Sequence, residues 1–418
     1  MSTIVDYAKS MLNTFDELPF SRVDSLVLSW LSYTKIPDCD RFAMTRTWDG
    51  MRLADLFCAE YFDDLMGGMW DISSSMELLT AMVASPRYRD IQVCAYREQY
   101  DAKKEKQFSA MTLRLTPDLS YIAFRGTDAS LVGWKEDLNL AFTCPVPAQK
   151  SAARYVNEAS KYIPGEFMTG GHSKGGNLAI YAAASCKPAV RKRLAKAFSH
   201  DGPGFMEQFF ASAAFKAIED RVDKTIPQSS LVGLLLENHE DFSIIKSQGQ
   251  GVMQHNPFTW LVEDGAFLPV EKLSASAAFT DHALHTWLAK TDIAKRRELI
   301  DTLYDVLVES VMKRKSEIIT TEEWVGGLVK NFRTISQAVK SMDPDTSKFV
   351  MKTVRSLIAT VVSSIPEVFK EGLDDVLDEA REDIEQCGET IKQDIEEFTE
   401  ELAEKIEPEP GPVSLDPV

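Results

Sequence analysis

The stretch from residue 166 to residue 185 constrains this chain more than any other. Glu166-Phe-Met-Thr-Gly-Gly171 reads as a short apolar strand and Asn177-Leu-Ala-Ile-Tyr-Ala-Ala-Ala184 as a helix. Between them stands Gly171-His-Ser-Lys-Gly175. A strand that runs into a helix within so few residues needs a turn too tight for side chains on either flank. Glycines two before and two after the serine meet that need. The serine then projects above the sheet at the helix N-terminus, where unpaired N–H groups point.

The same alternation continues on both sides. Phe108–Leu115 and Tyr121–Phe124 alternate as strands around the turn Thr116-Pro-Asp-Leu119, which predicts a hairpin. A helix is expected from Ala148 to Tyr162, ended by Pro164-Gly165. Ala197-Phe-Ser-His200 reads as a strand stopped by Asp201-Gly-Pro-Gly204, and further strands are expected at Lys224–Pro227, Phe242–Lys246 and Phe258–Val262. Strand and helix in alternation imply an α/β fold with a mostly parallel sheet covered on both faces.

Residues 1 to about 90 read as helical, with apolar positions such as Val23, Leu26, Leu28 and Leu31 at mixed spacings of three and four. After about Asp281 the strand signals stop. Thr320-Thr-Glu-Glu323 is a capping box. A narrow apolar stripe from Leu373 to Leu402 then runs along an acidic helix, and Glu407-Pro-Glu-Pro-Gly-Pro412 forbids helix. Three regions follow: 1–285, the α/β domain with its N-terminal helices; 286–406, an increasingly acidic helical appendage; and 407–418, a disordered tail.

The net charge of −18 is concentrated at the end. Residues 366–418 hold 19 of the 64 acidic residues and 4 of the 46 basic ones, so the remainder is close to neutral. Nucleic acid is not expected as a partner. The acidic helix is a candidate for self-association or for a protein partner, against the plainer reading of a solvated helix folded on its own domain. The six cysteines form no CxxC pair or zinc spacing. The first residues lack a basic stretch followed by an apolar one, and Phe349–Ile365 is interrupted by Lys352 and Arg355. The expectation is a cytoplasmic protein without a signal peptide or transmembrane segment.

Gly171–Gly175 has the form G-x-S-x-G, the elbow that presents a serine nucleophile between strand and helix. Acyl transfer also needs two donors aimed at the developing oxyanion. One is the N–H of the residue after the nucleophile, here Lys174. The other is expected from Thr127, in Ile122-Ala-Phe-Arg-Gly-Thr-Asp128 at the end of the second hairpin strand. The Lys174 side chain has two readings: pairing with a carboxylate below the turn, which is favoured, or attraction of an anionic substrate group.

Ile122–Asp137 taken with Gly171–Gly175 resembles the class 3 lipases of the α/β-hydrolase superfamily. A closer resemblance rests on Phe15–Asp24, Leu26–Tyr33, Gly171–Ala179, Asp201-Gly-Pro-Gly-Phe205, Ile226–Gly233 and Gln254-His-Asn-Pro-Phe-Thr-Trp260. This series is similar to the bacterial Mbeg1-like family and covers about the first two-thirds of the chain. The resemblance implies an α/β-hydrolase fold and a serine-hydrolase site, with no known substrate.

In that fold the triad runs in the order serine, acid, histidine. His172 flanks the serine and is expected to point elsewhere, and His200 precedes the later acids. Of His239, His255, His282 and His285, His255 lies in a loop between expected strands, and the resemblance marks the same residue. Asp201 is the favoured acid, since it leaves a strand directly and resembles the acid turn of pancreatic-type lipases. Asp223 is the rival, because class 3 lipases carry their acid in a similar stretch before Pro227, although the aligned residue here is Lys224. The expected activity is cleavage of a small-molecule or lipid carboxylic ester, lipase- or phospholipase-like, with no metal or organic cofactor. The alternatives are acyl transfer by the same residues, or a catalytically weak scaffold whose tail recruits partners.

Overall fold

The computed structural model describes residues 2–278, apart from residues 70, 129, 130, 239, 240, 250 and 276, together with residues 281, 293, 294, 296, 297 and 301. Apart from residues 293, 294, 296, 297 and 301, the expected appendage therefore lies outside the described residues, as do the tail, His239, His282 and His285.

Helices α1 (Ile4–Ser10), α2 (Arg22–Leu31), α3 (Phe62–Leu65) and α4 (Ile72–Ala84) make up the N-terminal part, with short 3-10 turns between them. An eight-stranded sheet follows, with strands side by side in chain order: β1 (Met51–Arg52), β2 (Gln92–Asp101), β3 (Lys106–Thr116), β4 (Leu119–Phe124), β5 (Glu166–His172), β6 (Leu194–His200), β7 (Val222–Pro227) and β8 (Phe242–Ile245). β1 to β4 pair antiparallel and β4 to β8 parallel. The connecting helices are α5 (Leu131–Asn139), α6 (Pro147–Ala159), α7 (Lys174–Ser185), α8 (Pro188–Arg191), α9 (Glu207–Phe210) and α10 (Ala213–Lys216). A two-stranded ribbon, β9 (Val262–Glu263) with β10 (Ala266–Phe267), completes the described part.

Strand order explains why the N-terminal helices are needed. Right-handed crossovers that step one strand at a time in one direction leave their helices on one face. α6 and α7 pack together and cover β3 to β6 from that side. The other face of β4, β5 and β6 is covered by α2. The two-residue period of β4 shows the division: Ile122 and Phe124 enter one core with Leu178 and Val156, while Tyr121 and Ala123 enter the other with Leu26, Val27 and Trp30. α2 is held at its start by a capping box between Ser21 and Asp24. The Asp24 carboxylate also receives Arg87 Nη2 at 2.6 Å, Arg87 Nε at 2.7 Å and the Tyr88 hydroxyl at 2.6 Å, and both charged side chains are fully buried.

The hairpin, the α6 helix and β5, α7, β6, β7 and β8 lie where the sequence places them. Phe258–Val262 does not form the expected strand. Pro257 has no N–H to pair, Asn256 caps the Phe258 N–H at 3.1 Å, and Pro257–Thr259 is a 3-10 turn. β2 and α5 were not anticipated. The molecule is an α/β-hydrolase fold: a mostly parallel sheet flanked by helices, with an added N-terminal helical layer.

Candidate active site

The elbow is one residue long. β5 ends at His172, α7 begins at Lys174, and Ser173 between them has φ 58° and ψ −135°. Such a backbone costs a non-glycine residue about 1–3 kcal/mol and persists only where its surroundings enforce it. Here the Ser173 N–H donates to the His200 carbonyl at 2.9 Å, and the Ser173 carbonyl accepts from Gly176 at 2.9 Å. A Cβ on Gly171 would lie 2.2 Å from the Gly175 carbonyl carbon, and one on Gly175 would lie 2.2 Å from the Phe124 carbonyl oxygen. Both glycines are therefore required for the close approach of β4, β5 and α7.

Asp201 is the first residue beyond β6, again with a positive φ of 50°. Its side chain is fully buried. Oδ1 accepts from the Ser230 hydroxyl at 2.5 Å and from the Gly233 N–H at 3.1 Å, and Oδ2 pairs with His255 Nδ1 at 2.6 Å. His255 ends a 3-10 turn, Gly251–His255, and its side chain is 28% exposed. The turn is pinned by Gln254, whose carbonyl accepts from Trp260 Nε1 at 2.7 Å and whose side chain accepts from the Ser229 N–H at 2.8 Å.

His172 does not point away from the site. Its ring packs 4.5 Å from that of His255, and its Nε2 donates to the His255 carbonyl at 2.8 Å. With the proton on Nε2, Nδ1 accepts from the Tyr33 hydroxyl at 3.2 Å. Burial, reinforced by the neighbouring His255, holds His172 well below the usual histidine range, so it stays neutral. The residue before the serine thus carries the loop of the second histidine. Sequence spacing gives no sign of this, because the two are 83 residues apart.

On the other side of the elbow, Thr127 is buried after β4, and its hydroxyl donates to Asp137 on α5. That hydroxyl is therefore already engaged by a carboxylate. Lys174 settles the choice that the sequence leaves between a carboxylate below the turn and a substrate anion. Its side chain is 1% exposed, and Nζ lies 2.6 Å from Gln107 Oε1, 3.3 Å from Glu136 Oε2 and 3.6 Å from Asp137 Oδ1. Burial pushes the Asp137 carboxyl up to about 6, opposed by Lys174 and by the Thr127 hydroxyl. Glu136 also accepts from the N–H groups of Gln107 and Ala148, at 3.0 and 2.7 Å. Lys174 therefore ties the elbow to β3, α5 and the start of α6.

Asp223 is not brought to His255. It stands near the start of β7, opposite Phe198, where its buried carboxylate receives Arg22 Nε at 2.9 Å and Lys196 Nζ at 3.1 Å. His200 lies under α2, with Nε2 2.8 Å from the Ser25 hydroxyl, and burial pushes its pKa down to about 3. Ser230, Gly233, His172, Glu136 and Gln107 are the site residues to which the sequence reading assigned no role. Among the described residues, no group of three His, Cys, Asp or Glu side chains could hold a metal ion, and no helix is long and apolar enough to cross a membrane.

No curated protein matches the chain. Solved structures with some likeness include a triacylglycerol lipase with a serine protease triad as its catalytic centre. It is 16% identical, over 56% of this chain and 82% of that one, with a TM-score of 0.33. The Rhizomucor miehei lipase in its propeptide complex is 14% identical over 61% and 76%, TM-score 0.31. The lipase from Rhizopus microsporus var. chinensis is 17% identical over 47% and 77%, TM-score 0.31. Overlap this limited carries nothing about residues or substrate. The Mbeg1-like family model, by contrast, matches residues 82–305, over half of the 418 residues, and the chain belongs to the Mbeg1-like family.

Proposed function

We propose that the chain is a serine hydrolase of carboxylic esters, with Ser173 as nucleophile, His255 as base and Asp201 as the carboxylate that orients it. The observation that carries this reading is the 2.6 Å bond from His255 Nδ1 to a fully buried Asp201, with His255 packed on the ring of His172, the residue before a serine in a strained elbow. A proton on Nδ1, held by Asp201, leaves Nε2 with its lone pair free to take the serine proton. Attack forms a bond from Ser173 Oγ to the carbonyl carbon, and the carbonyl π pair moves to oxygen. The N–H groups of Lys174 and Thr127 then meet the oxyanion. Collapse expels the alcohol, which takes the proton from His255. Water repeats the sequence on the acyl-enzyme and returns Ser173 to its hydroxyl form.

The test is covalent. A fluorophosphonate probe should label Ser173, and Ser173→Ala should abolish both labelling and hydrolysis of p-nitrophenyl butyrate. Loss of a triad nucleophile costs about 10⁴–10⁶ in rate. Esterase activity that persists in the Ser173→Ala protein would overturn the assignment.

A further inference from the structure

A concave feature lies on the same rim as the elbow. A cavity of about 350 Å³ is bounded by Lys104, Lys106, Pro147, Lys150 and Arg154. Small-molecule sites begin at about this size, roughly 300 Å³. β3 runs antiparallel to β4 with Ala110 opposite Phe124, so Lys106, the first residue of β3, lies beyond the end of β4. That is the end from which Thr127 follows and at which β5 gives way to Ser173.

Four cations converge there, Lys104, Lys150 and Arg154 exposed and Lys106 half-buried. Lys104 pairs with Asp101 at 2.7 Å. Among the described residues, Lys106 bonds a neutral amide, that of Gln99, and Arg154 a hydroxyl, that of Ser151 at 3.3 Å. Among the described residues, no carboxylate lies within ion-pair distance of Lys106, Lys150 or Arg154. Lys150 and Arg154 stand four apart on α6, a like-charge spacing that weakens a helix. Burial and the nearby Arg154 lower the pKa of Lys106. An arrangement that costs stability when empty gains when an anion enters it, and this one stands in a region that is near-neutral as a whole. The pocket is also wired to the elbow: Gln107, next to Lys106, and Ala148, next to Pro147, both donate to Glu136, which holds Lys174.

We propose that this pocket binds the phosphoryl group of the substrate, so that the site takes carboxylic esters bearing a phosphate. The binding part stands alone; the substrate part rests on Ser173 being the nucleophile. Two sources share this chemistry, the headgroup phosphate of a lipid and a soluble phosphomonoester. Lys106, Lys150 and Arg154 supply the charge-assisted donors that phosphate oxygens accept, with Arg154 able to bind two of them at once.

The test uses the full chain carrying Ser173→Ala, so that binding is read without turnover. Glycerol 3-phosphate titrated at low salt should bind saturably. Lys106→Gln with Arg154→Gln should weaken binding about tenfold or more, the single change Arg154→Glu should do the same, and Lys216→Gln on α10 should not. Absence of saturable binding, or binding that survives both pocket variants, overturns the proposal. In the active chain, kcat/KM is then compared for dihexanoyl phosphatidate, monobutyryl glycerol 3-phosphate and their neutral glycerol counterparts. The ratio of phosphate-bearing to neutral ester should fall about tenfold in the double variant. A preference confined to phosphatidate assigns the lipid headgroup, one that extends to the soluble ester assigns the phosphomonoester, and an equal rate on neutral esters refutes a substrate phosphate. If Ser173→Ala keeps its esterase activity, the nucleophile assignment falls while the binding result is judged on its own.

Discussion

Replacing Asp201 with Asn should abolish turnover while leaving the fold intact, and the surrounding donors say why. Oδ1 of Asp201 accepts from a backbone N–H, that of Gly233, and from the Ser230 hydroxyl; Oδ2 accepts from His255. A hydroxyl can reverse its role, but a backbone N–H cannot. The amide oxygen of an asparagine is therefore held on the Gly233 side and its NH₂ is turned toward His255. That forces His255 Nδ1 to accept and moves the ring proton to Nε2, where it blocks removal of the serine proton. A comparable change in a serine protease triad costs about 10⁴ in kcat, equivalent to about 5.5 kcal/mol of transition-state stabilisation. Asp223→Asn removes a carboxylate whose partners, Arg22 and Lys196, are 49% and 44% exposed and can return to solvent. Its effect should be about 1 kcal/mol of stability and no more than about twofold in kcat. Steady-state hydrolysis of p-nitrophenyl butyrate, with circular dichroism to verify folding, compares the two. If Asp223→Asn is the inactive protein and Asp201→Asn is near normal, the acid has been misassigned and the tautomer argument fails with it.

Arg87→Met should leave the buried Asp24 carboxylate without its counter-charge and destabilise the fold by about 3–5 kcal/mol; a guanidinium titration that finds less than about 1 kcal/mol would contradict the role given to that pair. His200 is neutral when folded, with its pKa near 3 against 6.5 when exposed, so on acidification the unfolded chain gains a proton that the folded one refuses. Stability should be fully present above about pH 6.5 and decline toward pH 3 at about 1.4 kcal/mol per pH unit from this residue. His200→Gln should make the pH slope of unfolding shallower by that amount, whatever its constant offset, and an unchanged slope would count against a neutral buried ring. Deleting residues 366–418 should leave ester hydrolysis within about threefold, since every proposed site residue precedes residue 260. Truncating further, past residue 301, should not be as harmless, because Asp301 pairs with the buried Lys135 of α5 and Arg297 covers the Phe142 ring at 4.5 Å.

The strands and helices nearest the nucleophile are legible in the sequence because their signals are local: glycine placement around Ser173, the two-residue period of the hairpin, the turn after His200. β2 escapes for a local reason of a different kind. Ala95 has φ 49° and donates to Thr47, and the register shifts between Cys94 and Arg97, so a bulge breaks the alternation that marks a strand. α5 has polar Lys135, Glu136 and Asp137 in its middle; the two carboxylates make sense only once Lys174 is seen beneath the elbow, and Lys135 only once Asp301 is. The support of His255 by His172, and of Asp201 by Ser230 and Gly233, depends on contacts between residues 29 to 83 apart in sequence. No spacing rule reaches across loops of that length. For the same reason the sequence can favour Asp201 over Asp223 only by its place directly after a strand, while the contact with His255 depends on the path of a distant loop.

The position of α2 has a consequence for how the chain is made. During synthesis this helix emerges before the strands it covers, with an apolar face whose docking surface does not yet exist. Ser25 bonds the hydroxyl of Tyr121, 96 residues later, and the ring of His200, 175 residues later. At ordinary translation speeds of about 5–20 residues per second, the helix waits roughly ten to thirty seconds for the strand that completes its contacts. Its first durable anchor comes sooner, when Arg87 and Tyr88 reach Asp24 and close the N-terminal part into a unit. A nascent chain interrupted between those two events would hold that unit together while presenting its sheet-facing side to whatever binds exposed apolar surface in the cell.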